Sequence, residues 1–116
     1  MQKHDVATQL KLEMQWTGNL ILYRVADNVG IWKSNTYGSK AYQGSMLSNG
    51  NFVLFDKNLT TTFWSSNTTG NEGAYLLVRD DGNLVIKNAT GNVIWTSNST
   101  SNCTGNYASF NEVLYI

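Results

Sequence analysis

Clustered charge is the first thing this chain lacks. Its 116 residues carry eight Lys and Arg against eight Asp and Glu, a formal net charge of zero. Lys3, Lys11, Arg24, Lys33, Lys40, Lys57, Arg79 and Lys87 are scattered rather than blocked. Nucleic acid and anionic membranes are held by clustered cations, so neither is expected as a partner. Histidine occurs once, at His4 near the terminus, and cysteine once, at Cys103. One histidine provides no metal cluster and no catalytic triad at any recognisable spacing. One cysteine forms no intrachain disulfide, and a small buried or idle thiol is the expected reading. Asp80 and Asp81 are adjacent, so on a strand they point to opposite faces, unlike the facing carboxylate pair of a glycosidase. No glycine-rich phosphate loop occurs. We therefore expect no enzyme, no catalytic residue, no cofactor and no metal. No apolar run approaches the ~18 residues that span a bilayer, and no signal-peptide pattern opens the chain, so no membrane insertion is expected. Secreted and cytoplasmic locations both stay open. Five N-glycosylation sequons, at Asn58, Asn67, Asn88, Asn98 and Asn102, follow mostly from a composition rich in Asn, Ser and Thr.

Helical periodicity is also missing: apolar residues nowhere recur at i, i+3, i+4 and i+7 over a helix length, so almost no helix is expected. What the chain has instead is repetition. Gly-Asn-x-[Ile/Val]-[Leu/Ile] stands at Gly18–Leu22, Gly50–Leu54 and Gly82–Ile86, each copy 32 residues after the last. A second marker follows every copy, as Ile31-Trp32-Lys33-Ser34-Asn35, Phe63-Trp64-Ser65-Ser66-Asn67 and Ile94-Trp95-Thr96-Ser97-Asn98. Periods of this length belong to architectures that array one small supersecondary unit. The repeats run approximately over 10–36, 42–68 and 74–99, within a single domain spanning 1–116.

Leu10, Leu12, Met14 and Trp16 alternate with Lys11, Glu13, Gln15 and Thr17, which predicts a half-buried strand over 10–17. Gly-Asn marks a hairpin bend, because both residues tolerate positive φ, and the apolar run after it is the returning strand. Each repeat then holds three or four short strands. Three such sheets bury one face each most naturally around a common axis, with Leu20, Leu22, Phe52, Leu54, Leu84 and Ile86 inside. Trp32, Trp64 and Trp95 are expected as equivalent core anchors rather than ligand-stacking groups. A leftover strand over 107–116 is expected to pair with the first sheet, its own or a neighbour's, because an unpaired apolar edge invites association.

Residues two apart on a strand face the same way, so Gln15, Thr17, Asn19, Ile21 and Tyr23 line one outer surface whose length suits a single hexose. Amide and hydroxyl groups meet sugar hydroxyls while the aliphatic residue touches the apolar face of the ring.

Gln15-x-Thr17-x-Asn19-x-Ile21-x-Tyr23, followed by Ile31-Trp32-x-Ser34-Asn35-Thr36, resembles the Gln-x-Asp-x-Asn-x-Val-x-Tyr signature and Trp-containing tail of the monocot mannose-binding bulb lectins. The resemblance covers nearly the whole chain in three copies. It implies an all-β, β-prism II fold: three antiparallel four-stranded sheets with internal pseudo-threefold symmetry. It further implies up to three sites for mannose or mannose-containing glycans, no metal, and homodimers built by exchanging the C-terminal strand. In the first copy Gln15 and Asn19 would serve the sugar hydroxyls, Ile21 the ring and Tyr23 the far hydroxyl, with Thr17 in place of the aspartate. The second copy keeps Asn49, Asn51 and Val53 but has Leu47 and Phe55 where Gln and Tyr belong. The third keeps Asp81, Asn83 and Val85, with Arg79 and Lys87 flanking them. Those two cations would suit an acidic sugar, but a surface ion-pair cluster with Asp80 and Asp81 is the stronger expectation. The function expected is a lectin whose best site is in the first repeat; the alternative is a β-prism that serves as a structural or protein-interaction module without sugar binding.

Overall fold

The computed structural model describes residues 9–100 and the backbone of a short strand at Glu112–Val113. His4, Cys103, Asn102 and the rest of the expected 107–116 strand lie outside the described residues. Ten strands run in chain order, and no helix occurs among the described residues: β1 (Leu10–Met14), β2 (Leu20–Arg24), β3 (Val29–Lys33), β4 (Gln43–Met46), β5 (Phe52–Phe55), β6 (Thr62–Ser65), β7 (Tyr75–Val78), β8 (Leu84–Lys87), β9 (Val93–Thr96) and β10 (Glu112–Val113). They form three antiparallel sheets, β1-β2-β3, β4-β5-β6 and β10-β7-β8-β9, one per repeat.

The Gly-Asn bends fold as the sequence predicts. In the first, the Gly18 amide donates to the Gln15 carbonyl (3.0 Å) and the Gln15 amide to the Asn19 carbonyl (2.9 Å). Gly18 takes φ 95°, and a Cβ there would lie 2.5 Å from the Ser39 carbonyl oxygen, so only glycine fits. Gly50 repeats this, with φ 90° and a Cβ position 2.1 Å from the Asn71 carbonyl oxygen.

The apolar runs that follow become the central strand of each sheet. Leu20, Leu22, Phe52, Leu54, Leu84 and Ile86 are all buried, with at most 2% exposure. Removing each such side chain from water stabilises the fold by roughly 1.5–3 kcal/mol before chain entropy is set against it. The tryptophans close the interior. Trp32, Trp64 and Trp95 form a triangle with ring centroids 5.5, 5.6 and 5.7 Å apart, every pair edge to face. This is the pseudo-threefold relation written in side chains, with the geometry that aromatic quadrupoles favour.

A device absent from the sequence reading lets neighbours share that interior. Ile31–Trp32, Phe63–Trp64 and Ile94–Trp95 are adjacent pairs, yet all six residues pack against the core. A regular strand would send one of each pair to solvent. The register slips at the same place in every repeat: Leu22 faces Trp32 but Tyr23 faces Gly30, and the slips after Leu54 and Ile86 match it. Each slip inserts one extra residue, a β-bulge at Ile31, Phe63 or Ile94, and turns both members of the pair inward.

Three expectations are corrected. The first strand ends at Met14, and Trp16, expected among the inward residues, is 94% exposed because the chain has already entered the Gln15–Asn19 bend. Four strands are present only in the third sheet; the other two have three among the described residues. The fourth strand is β10, which pairs antiparallel with β7 rather than with the first sheet, Glu112 opposite Val78 and Val113 opposite Leu77. β7 is the outer edge of the sheet that precedes β10 in sequence, and pairing within the chain satisfies that edge.

Candidate functional site

The outer face of the first sheet carries most of the polar constellation predicted for it. β1 and β2 set Lys11 opposite Tyr23 and Glu13 opposite Ile21. Gln15, just past the end of β1, reaches back across the bend so that its Nε2 donates to Tyr23 Oη at 2.7 Å. Thr17 Oγ1 donates more weakly to Gln15 Oε1, at 3.4 Å. Ile21 lies between them in sequence and is 6% exposed, an apolar floor under the amide and phenol. Gln15, Thr17 and Tyr23 are thus brought together, half-buried and open to solvent.

Asn19 is differently placed from the expected outward ladder. It is buried, and its Oδ1 accepts from Ser34 Oγ (3.2 Å) and from the Thr36 amide (3.2 Å). Thr36 Oγ1 donates to the Gly18 carbonyl at 2.5 Å, and the Leu20 amide donates to Ser34 Oγ at 3.0 Å. The cluster clips the start of β2 to the end of β3. The same clip recurs in the second repeat, where Asn51 Oδ1 accepts from Ser66 Oγ and the Thr68 amide, and in the third, where Asn83 Oδ1 accepts from the Ser99 amide. The chain turns within each clip at Asn35, Asn67 and Asn98, whose φ values are 61°, 57° and 53°. The two recurring sequence markers are therefore halves of one hydrogen-bonded unit. What remains for a ligand is the amide nitrogen: Asn19 Nδ2 and Asn51 Nδ2 have no partner among the described residues, whereas Asn83 Nδ2 donates to Thr100 Oγ1 at 2.9 Å.

Position three of the signature has a backbone task as well. Asn49 Oδ1 accepts from the Asn51 amide (3.0 Å) and Asp81 Oδ1 from the Asn83 amide (3.1 Å), side-chain closures of the bend that Thr17 does not make. In the third repeat Arg79 pairs with Asp81 in a short salt bridge. Burial pushes the Asp81 carboxyl up, but hydrogen bonds from Arg79 and Asn83, with the guanidinium charge, together hold it below its ordinary value. Lys87 sits opposite Tyr75 on the neighbouring strand. Val53 and Val85 are buried like Ile21, and Leu47 and Phe55 give the second repeat an apolar rim with no counterpart to the Gln15–Tyr23 bond. Among the described residues no three His, Cys, Asp or Glu side chains gather to hold a metal ion.

Two neighbours were not singled out from the sequence. Lys11 Nζ lies 5.1 Å from the Tyr23 ring centroid and 3.7 Å from Glu13, so an ion pair borders the site. Pairing β1 to β2 through the Gly-Asn bend would have located both.

Scanned against models of protein families, the sequence matches none, and no curated protein matches it either. Solved structures do. A monomeric monocot mannose-binding lectin from Gastrodia elata shares 34% identity, with a TM-score of 0.69, covering 79% of this chain and 82% of that one. The lectin of Polygonatum cyrtonema, solved with a monomannoside, shares 34% identity at a TM-score of 0.58, with 78% of each chain covered. A lectin of Marasmius oreades shares 26% identity at a TM-score of 0.70, covering 79% of this chain and 75% of that one. The identity to two plant lectins over most of both chains, on a fold of three antiparallel sheets, means that the protein belongs to the bulb-type, monocot mannose-binding lectin family.

Proposed function

We propose that this lectin binds mannose and mannose-containing glycans through one competent site, on the first repeat, and does so without catalysis. The observation that carries the reading is the Gln15 Nε2–Tyr23 Oη hydrogen bond of 2.7 Å beside the buried Ile21. It pre-sets an amide and a phenol on the face of the strand that carries Ile21, so little side-chain entropy is left to lose on binding. Asn19 Nδ2 would add a donor, held by the Ser34 and Thr36 contacts to its oxygen. Ile21 would meet the C–H face of the ring, and Thr17 would offer a hydroxyl where the family signature has a carboxylate.

In the second repeat Asn49, Asn51 and Val53 would make at most a residual site, since Leu47 and Phe55 supply neither amide nor hydroxyl. In the third, the Arg79–Asp81 pair and the Asn83–Thr100 bond use up the groups a sugar would need at Asp81 and Asn83, beside Val85. Calorimetric titration with methyl mannoside tests the reading: one site of millimolar order is expected. No heat on titration, combined with no signal on a glycan array, would refute it.

A further inference from the structure

The first repeat also carries two aromatic side chains that the single-sugar reading leaves unused. Trp16 is 94% exposed and Tyr37 75% exposed, and with Thr17, Gly38 and Ser39 they line an open depression of about 230 Å³. The two loops that present them are tied together. The Gly38 amide donates to the Thr17 carbonyl at 2.7 Å, the Ser39 amide to the Thr36 carbonyl at 3.0 Å, and Ser39 Oγ to the Gly18 carbonyl at 3.5 Å. Neither aromatic recurs: the places of Trp16 are taken by Ser48 and Asp80, and those of Tyr37 by Thr69 and Thr100. Both therefore occur only in the copy that holds the Gln15–Tyr23 pair. Thr17 joins the two regions, bonding Gln15 on one side and lining the depression on the other.

We infer that Trp16 and Tyr37 form a second subsite that takes a further neutral hexopyranose of the same glycan, linked to the sugar held by Gln15, Asn19 and Tyr23. This rests on the single-site reading above and extends it. The electron-rich face of each ring meets the electropositive C–H face of a pyranose. Ser39 Oγ, Thr17 Oγ1 and the Gly38 backbone supply hydrogen bonds to its rim, and no charged side chain lines the depression, so the ligand is uncharged. Thr17 belongs to both places, bonding Gln15 Oε1 and lining the depression, so one glycan spanning Thr17 reaches both.

The test is a titration of the full chain with methyl mannoside, mannobiose and mannotriose, repeated on Trp16→Ala and Tyr37→Ala. Both residues are exposed, so the variants should keep the wild-type melting temperature. Expected is a gain of about three- to tenfold from monosaccharide to oligosaccharide in the wild type, abolished in both variants while methyl mannoside affinity stays within about twofold. An equal gain in wild type and variants overturns the subsite and leaves the first site standing. Loss of monosaccharide and oligosaccharide affinity in the same proportion also overturns it, since the residues would then belong to the first site. No binding of any ligand by the wild type overturns both readings. A Trp16-dependent fluorescence blue shift on phosphatidylcholine vesicles, with none on mannotriose, would assign the patch to a membrane surface instead.

Discussion

Gln15 and Tyr23 lie eight residues apart on opposite sides of the first Gly-Asn bend, and their side chains meet in a 2.7 Å hydrogen bond on the solvent face of the sheet. The bond is half-buried, so its loss exposes the partner to water rather than stranding it. Tyr23→Phe and Gln15→Ala should each leave stability within about 1 kcal/mol of wild type and reduce methyl mannoside affinity roughly tenfold. Paired calorimetric and thermal-melt measurements separate the two effects. A fall in melting temperature without a change in affinity would make the pair a structural strut only.

Asn19 should behave in the opposite sense. Its Oδ1 accepts two hydrogen bonds in a buried setting, so Asn19→Ala leaves the Thr36 amide without its acceptor, while the Ser34 hydroxyl keeps Thr36 Oγ1 at 2.6 Å, and the loss should cost about 1–3 kcal/mol. Asn51→Ala removes the matching clip of the second repeat and should cost a similar amount. Urea unfolding of both variants measures this. Only Asn19→Ala should also weaken sugar binding, which distinguishes the scaffold task common to the repeats from the ligand task of one.

These two residues show how far the sequence could be read. The Gly-Asn triplets, the central strands and the burial of Leu20, Leu22, Phe52, Leu54, Leu84 and Ile86 followed from alternation and from positive-φ residues, both local properties of the chain, whereas Ile21, Val53 and Val85, read as outward, are buried as well. What escaped was non-local. The alternation ran on through Trp16 because a bend is invisible to a period-two pattern, and the exposed indole marks where that pattern stopped applying. Ile31 and Trp32 share the interior only because of a bulge whose cause lies in the neighbouring strand's register. Asn19 read as an outward ligand, since nothing in a signature tells that its oxygen is already taken by Ser34 and Thr36, fifteen and seventeen positions away.

The tryptophan triangle makes a third prediction. Trp64 contacts Trp32 and Trp95 edge to face and also stacks edgewise on Phe52 at 6.3 Å. Trp64→Ala opens a void where all three sheets converge and should cost about 3–5 kcal/mol, enough to unfold most of a small β-domain. Near-UV circular dichroism, sensitive to coupled indoles, should lose most of its amplitude in Trp64→Phe even where the far-UV spectrum is retained.

Acid should weaken the third repeat through Asp81. Its carboxyl is held below 3.8 in the folded chain, so the sign is fixed: the stability it contributes is fully present above the unfolded value and is lost as pH falls through the lower folded one. Asp81 and Arg79 are 38% and 34% exposed, and solvent screening keeps the effect small. Asp81→Asn retains an oxygen for the Asn83 amide while removing the charge. The fall in melting temperature between about pH 6 and about pH 3 should therefore be smaller in the variant, the remainder coming from groups such as Asp56 and Asp27, which are also held low.

Thr17 is where stability and binding can be improved by one change. Asn49 and Asp81, its counterparts, each accept a hydrogen bond from the amide two residues on, and Thr17 does not. Thr17→Asp would close the first bend in the same way, adding about 0.5–1.5 kcal/mol to stability. The same carboxylate would restore the family signature in the one repeat that keeps Gln15, Asn19 and Tyr23, and a charge-assisted bond to a sugar hydroxyl should raise methyl mannoside affinity about tenfold. Parallel melting curves and titrations decide it: a more stable variant without a tighter sugar would mean that this position serves the bend alone, and that the acid of the signature is structural in this chain.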